Sequence, residues 1–132
     1  MNFSVVLVTG GHPDEKSVEL LSIKGTRLCL LPSLPDARAS HSQTGLVTCG
    51  GYKASSLSCV TFSAGRWKKT HTLTHKRRGH TAWASPQGVL LGGGWSWRTR
   101  TTTELLTDNG DTTPSFNLTN GREYVSIVFM LC

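Results

Sequence analysis

The chain is short of carboxylates, of helical periodicity and of long apolar runs. Its eight acidic residues are Asp14, Glu15, Glu19, Asp36, Glu104, Asp108, Asp111 and Glu123. They scatter, and no pair is placed for a general acid and a general base. No stretch keeps apolar residues at helical spacing for the roughly 11 residues that mark an amphipathic helix. No window approaches the ~18 consecutive apolar residues of a membrane span. The apolar run Val5 to Val8 is too short, and too poor in basic neighbours, for a signal peptide. Gly92-Gly93-Gly94 is not followed by Lys-Ser/Thr, as a phosphate loop requires, and no helix follows it as in a dinucleotide loop. No Gly-x-Ser-x-Gly elbow occurs. These absences remove the usual catalytic constellations. No catalytic residue and no cofactor is expected.

Glycine, by contrast, is plentiful, with fourteen in 132 residues. It recurs with its surroundings. Leu7-Val8-Thr9-Gly10-Gly11 returns as Val47-Thr48-Cys49-Gly50-Gly51 and again as Leu90-Leu91-Gly92-Gly93-Gly94, with Gly10, Gly50 and Gly92 falling 40 and 42 residues apart. A fixed period of that size signals a repeat architecture. Other positions keep step. A polar stretch and then a short strand-like segment follow each di-glycine, at Ser17-Val18-Glu19-Leu20-Leu21, Leu57-Ser58-Cys59-Val60-Thr61-Phe62 and Thr103-Glu104-Leu105-Leu106; then a turn; then a segment led by Leu28, Trp67 or Phe116. Each unit closes on an arginine with a ring two or three residues on: Arg38 with His41, Arg78 with His80, Arg122 with Tyr124.

The segments are short, rich in Val, Thr, Leu and aromatics, and bounded by Gly, Pro, Asn or Asp, which is the pattern of strands joined by tight turns. Strands are expected near 4–9, 17–23, 28–31, 40–44, 45–49, 56–62, 66–72, 79–84, 88–92, 102–107, 115–118 and 123–130. Trp67 is expected to be buried, with Leu46, Val60, Phe62, Leu73, Trp83, Leu90 and Leu105 near it. Four strands per repeat is the count of a β-propeller blade.

The di-glycine after an apolar strand, the Val-Glu-Leu strand, the Trp-led strand and the Arg-x-x-His closure together resemble the kelch repeat, over roughly residues 4–124. The unit from Arg38 and His41 through Gly50-Gly51 to Trp67 is the most typical. The resemblance implies an all-β partial propeller: an incomplete blade at 4–35, full blades at 36–75 and 76–119, and the start of a further blade or an aberrant C-terminus at 120–132. It also implies structural roles for Gly10, Gly11, Gly50, Gly51, Gly93, Gly94, Trp67, Arg38, His41, Arg78 and His80. The arginines would donate to backbone carbonyls and the histidines anchor the inter-blade loop. Ring closure takes ~4–8 blades, so the chain is expected to be a fragment of a larger propeller or to assemble with copies of itself through unpaired blade edges.

Cys49 and Cys59 lie on neighbouring strands. A cross-strand disulfide and a pair of buried thiols both remain open, the first requiring Cα atoms within about 7 Å. Cys49, Cys59, His71 and His75 mimic a zinc set, but nine residues part the cysteines where a finger has two to four. No metal is expected. The net charge of +6 gathers at Lys68-Lys69, at His75-Lys76-Arg77-Arg78 and at Arg98 and Arg100; a solvated loop face is the expectation, rather than nucleic-acid binding. The largest departure from the repeat is the loop from Trp95 to Arg100. Trp95, Trp97, Arg98 and Arg100 combine the residue types that anchor protein interfaces, and a protein partner is the expectation for it. An extracellular glycan-binding or galactose-oxidase-like domain is the alternative, with Asn2-Phe3-Ser4 and Asn117-Leu118-Thr119 matching glycosylation acceptor triplets.

Overall fold

A computed structural model describes residues 5–52, 57–95 and 101–121. The chain is all-β, with three antiparallel sheets and no α-helix among the described residues. The first sheet holds β1 (Val5–Thr9), β2 (Val18–Ser22) and β3 (Arg27–Leu30). The second holds β4 (Ser42–Thr44), β5 (Val47–Cys49), β6 (Ser58–Ser63) and β7 (Arg66–Thr72). The third holds β8 (Thr81–Ser85), β9 (Gly88–Gly92), β10 (Thr102–Leu106) and β11 (Thr112–Asn117). Strands neighbour one another in chain order, so each sheet is a plain meander. The strand expected at 123–130 lies outside the described residues.

Tight turns make this order cheap to reach. Ser63 pairs with Arg66 across a two-residue turn, in which Ala64 and Gly65 both take positive φ (51° and 79°). That is the hairpin geometry whose twist matches the flanking strands. Leu46 occupies the equivalent two-residue turn between β4 and β5, so it is exposed rather than part of the core.

Side chains alternate across each strand, and this splits the core into two layers. Cys49, Cys59, Leu73, Leu91 and Leu106 fill the space between the second and third sheets, with Val47, Ala82 and Val89 against them. Val18, Leu34 and Val60 fill the space between the first and second, with Leu7, Leu31 and Trp67 packed alongside. Trp67 is only half-buried. It sits at the hairpin end opposite Phe62, ring centroids 5.3 Å apart, and its indole N–H donates to the Pro32 carbonyl at 3.0 Å. The large apolar side chains at Leu28 and Phe116, which open the corresponding segments, are exposed. None of the described residues forms a helix long and apolar enough to cross a membrane.

Candidate functional site

The di-glycine end of the sheets is where the repeated polar residues meet. Gly10, Gly50 and Gly93 hold φ of 61°, 68° and 70°, and each donates its N–H to the same place in its own sheet: the carbonyls of Ser17, Ser58 and Thr102. The working pair of the third unit is therefore Gly93-Gly94, and Gly92 is the last residue of β9. The second glycine reaches outward. Gly11 N–H donates to the Arg38 carbonyl and Gly51 N–H to the Arg77 carbonyl, both at 2.8 Å.

Those arginines bridge consecutive sheets. Arg38 is fully buried; its Nη1 donates to the Gly50 carbonyl (2.9 Å) and the Ser58 carbonyl (2.8 Å), and its Nη2 to Ser58 Oγ (2.8 Å). Arg77, 1 % exposed, repeats the pattern one sheet on, with Nη1 on the Gly93 and Thr102 carbonyls and Nη2 on Thr102 Oγ1. It adds an ion pair, Nε to Glu104 Oε1 at 2.6 Å, with both side chains fully buried. A planar fork of five donors suits such a multi-point cradle where lysine would not. Burial lowers the Arg38 pKa, and the Asp36 charge opposes that shift.

The residue equivalent to Arg38 is thus Arg77, and the assignment of Arg78 to that place is corrected. Arg78 is the counterpart of Ala39: Tyr52 N–H donates to the Ala39 carbonyl and Trp95 N–H to the Arg78 carbonyl. Freed from the cradle, the Arg78 guanidinium lies between two aromatic rings, 4.2 Å from the Tyr52 centroid and 4.0 Å from the Trp95 centroid. Tyr52 is 40 % and Trp95 48 % exposed. Sequence reasoning passed over Tyr52. Its signal was an aromatic residue directly after each di-glycine pair: His12, Tyr52 and Trp95.

His41 and His80 wedge against the glycines of the preceding sheet. A Cβ on Gly10 would meet His41 Cε1 at 2.9 Å, and one on Gly50 would meet His80 Cε1 at 2.5 Å. His80 Nε2 and Ser42 Oγ share a 2.6 Å hydrogen bond, and His41 Nε2 lies 3.2 Å from Thr9 Oγ1. Burial first, then the Arg77 charge, pushes the His80 pKa down to about 3. The His41 pKa moves the same way, chiefly through burial and also through Arg38. Both rings are neutral spacers at neutral pH.

Cys49 and Cys59 form a disulfide between β5 and β6, Cα atoms 4.1 Å apart. That removes both thiolates from any ligand set with His71, whose Nε2 bonds to the Thr107 carbonyl at 2.8 Å. No group of three His, Cys, Asp or Glu side chains converges among the described residues. Trp97, Arg98 and Arg100 lie outside the described residues, as do Arg122 and Tyr124. No family model and no curated protein matches the chain.

Proposed function

We propose that the three sheets are successive blades of a kelch-type β-propeller, serving as a non-enzymatic module that holds a protein partner at its di-glycine end. Support for the propeller comes from the repeated bridge, in which each arginine hands one sheet's second glycine to the next sheet's first. A structural role that recurs once per sheet suits a repeat unit rather than a single catalytic centre. The observation that carries the binding reading is the Tyr52–Arg78–Trp95 stack. Two exposed rings and one arginine are held in fixed order by backbone bonds from adjacent units, and such groups are enriched among the residues that dominate interface energetics. Stacking on arginine also limits the freedom those side chains would lose on binding.

The test is affinity purification from the native cells, comparing the chain with Tyr52→Ala and Trp95→Ala variants by quantitative mass spectrometry. The reading expects a defined set of proteins to disappear with either substitution while thermal stability holds. Identical partner sets for all three proteins would remove this surface from consideration.

The disulfide favours a second reading, a glycan-binding domain in an oxidising compartment. Asn117, within an acceptor triplet, is exposed at the end of β11. A glycan array separates the two readings, since saturable sugar binding lost in Trp95→Ala would displace the protein-partner reading.

A further inference from the structure

Two asparagines stand in Asn-x-Ser/Thr triplets, Asn2-Phe3-Ser4 and Asn117-Leu118-Thr119. The first lies outside the described residues. The second begins at the last residue of β11, and its middle residue is held in place, with Leu118 N–H donating to the Thr101 carbonyl at 2.7 Å. Asn117 and Thr119, on either side, are exposed. Neither the Asn117 amide nor the Thr119 hydroxyl makes a hydrogen bond among the described residues. Other side-chain amides are used by the fold. Gln43 spans Thr9 Oγ1 and the Leu7 carbonyl, and Asn109 Oδ1 accepts from Thr107 Oγ1 and Asp111 N–H. Asn117 holds nothing together, so its amide is available to carry a substituent.

Its exposure does not come from a sheet face left uncovered. Asn117 pairs with Thr102, and directly opposed side chains of an antiparallel pair share a face. Thr102 Oγ1 accepts from Arg77, which reaches it from the loop leaving the second sheet. Asn117 therefore lies on the side where the third sheet already has its neighbour, and it is exposed with that neighbour in place. It stands at the margin of the junction because β11 is the outermost of the four strands. A bulky group attached there projects past the junction without parting the sheets.

A second, independent observation concerns the compartment. The Cys49–Cys59 bond joins β5 to β6, and the two residues are 1 % and 0 % exposed. Disulfides form and persist in the secretory lumen and outside the cell. The same lumen is where an asparagine in such a triplet meets its glycan donor.

We propose that Asn117 is an N-glycosylation site. In the transfer, Asn117 Nδ2 bonds to the anomeric carbon of a lipid-diphosphate-linked oligosaccharide. The bond from that carbon to the phosphate oxygen breaks, the lipid diphosphate leaves with its electron pair, and the amide nitrogen releases one proton to solvent. The unengaged Thr119 hydroxyl supplies the other group that the triplet requires. Among the described residues β11 pairs on one side only. A large hydrated substituent at its end obstructs strand addition along the open edge, where Pro114 already removes one backbone donor. The assignment needs neither binding reading, nor the propeller.

The experiment is peptide mass spectrometry on the protein isolated from its native cells, after digestion with a peptide N-glycosidase in heavy-oxygen water. Asn117 is expected as aspartate carrying the heavy oxygen, with a matching increase in gel mobility on digestion. Expressed in the same cells, Asn117→Gln and Thr119→Ala should lose that mobility shift, and Thr119→Ser, which keeps the hydroxyl, should retain it. Melting temperatures of the deglycosylated proteins should coincide, since neither side chain bonds to the fold. Unmodified Asn117 in protein whose Cys49–Cys59 bond is intact overturns the proposal. A shift indifferent to substitution at 117 and 119, as modification of Asn2 alone would give, also overturns it. Free thiols at Cys49 and Cys59 with no glycan remove the compartment argument and the proposal with it.

Discussion

Arg77 and Glu104 form a fully buried ion pair, Nε to Oε1 at 2.6 Å, between the loop leaving the second sheet and the middle of the third. The other carboxylate oxygen accepts from Thr74 N–H at 2.9 Å and Thr74 Oγ1 at 2.6 Å. Every contact crosses between units, so the pair fixes how one sheet sits on the next. In the second sheet Val60 takes the position of Glu104, and Val60 is 1 % exposed. The two junctions are built on the same arginine fork with different second layers.

Removing one partner of a buried pair leaves the other charge without compensation, at about 3–5 kcal/mol. Glu104→Ala should cost that much, read from chemical denaturation. Glu19→Ala, at the matching position on the first sheet, where the side chain is 41 % exposed, should change stability by less than about 1 kcal/mol.

The strand order and the di-glycine turns were legible in the sequence because they depend on local chemistry: glycine at positive φ and alternation within short segments. Expected boundaries lie within a few residues of those observed, the largest shift being β11, which begins at Thr112 instead of residue 115. The phase of the arginines was less legible. Arg77 and Arg78 are adjacent, and aligning them by nearness to His80 selects the wrong one. Counting three residues back from each histidine, or four on from Leu34 and Leu73, selects Arg38 and Arg77. Trp67 was misjudged for a different reason. Its size implies burial, but its place beside the Ala64-Gly65 turn puts it at the end of the hairpin, where it is only partly covered. The Tyr52–Arg78–Trp95 stack joins residues from separate units, and only their common backbone offset could have disclosed it.

The glycines separate by what a Cβ would meet. Gly50 and Gly65 both hold positive φ, at 68° and 79°, but a Cβ on Gly50 would lie 2.5 Å from the Arg77 carbonyl oxygen, while on Gly65 it would meet nothing within 4 Å. Gly65→Ala should therefore cost only the left-handed backbone penalty, about 1–2 kcal/mol. Gly50→Ala must also displace the backbone of the bridging loop and should exceed about 3 kcal/mol. Equal denaturation midpoints for the two variants would contradict this.

Stability should fall on acidification well before the carboxylates titrate. His80 has its folded pKa pushed to about 3, below its ordinary 6.5, by burial first and then the Arg77 charge. The unfolded chain thus takes up a proton that the folded one refuses. The contribution is complete above about pH 6.5 and declines as pH falls toward 3, at ~1.4 kcal/mol per pH unit for one histidine. His41, shifted the same way, adds to the slope. Denaturant midpoints between pH 7 and 4 should drop steeply in the wild type and less in His80→Gln.

The Cys49–Cys59 bond closes a loop of ten residues' separation. Loop-closure entropy for that length is worth about 2–3 kcal/mol. Both side chains sit in the core layer between the second and third sheets, so Cys49→Ala with Cys59→Ala also leaves a small void. The double variant should lose at least the loop term. Dithiothreitol should lower the melting temperature of the wild type and leave the double variant unmoved.

The sharpest contrast lies between two neighbouring arginines of identical chemistry. Arg77 is 1 % exposed and donates to two carbonyls, a hydroxyl and a carboxylate of the third sheet. Arg77→Ala strands Glu104 in the core and should cost about 3–5 kcal/mol. Arg77→Lys should recover little, since an ammonium cannot reach four acceptors spread across one guanidinium plane. Arg78 contributes only its stack on Tyr52 and Trp95, worth about 0.5–1 kcal/mol at an exposed site. Arg78→Ala should leave the denaturation midpoint almost unchanged and instead raise the fluorescence response of Trp95 to external quenchers. If Arg78→Ala proves the more destabilising substitution, the bridge between the sheets has been assigned to the wrong arginine.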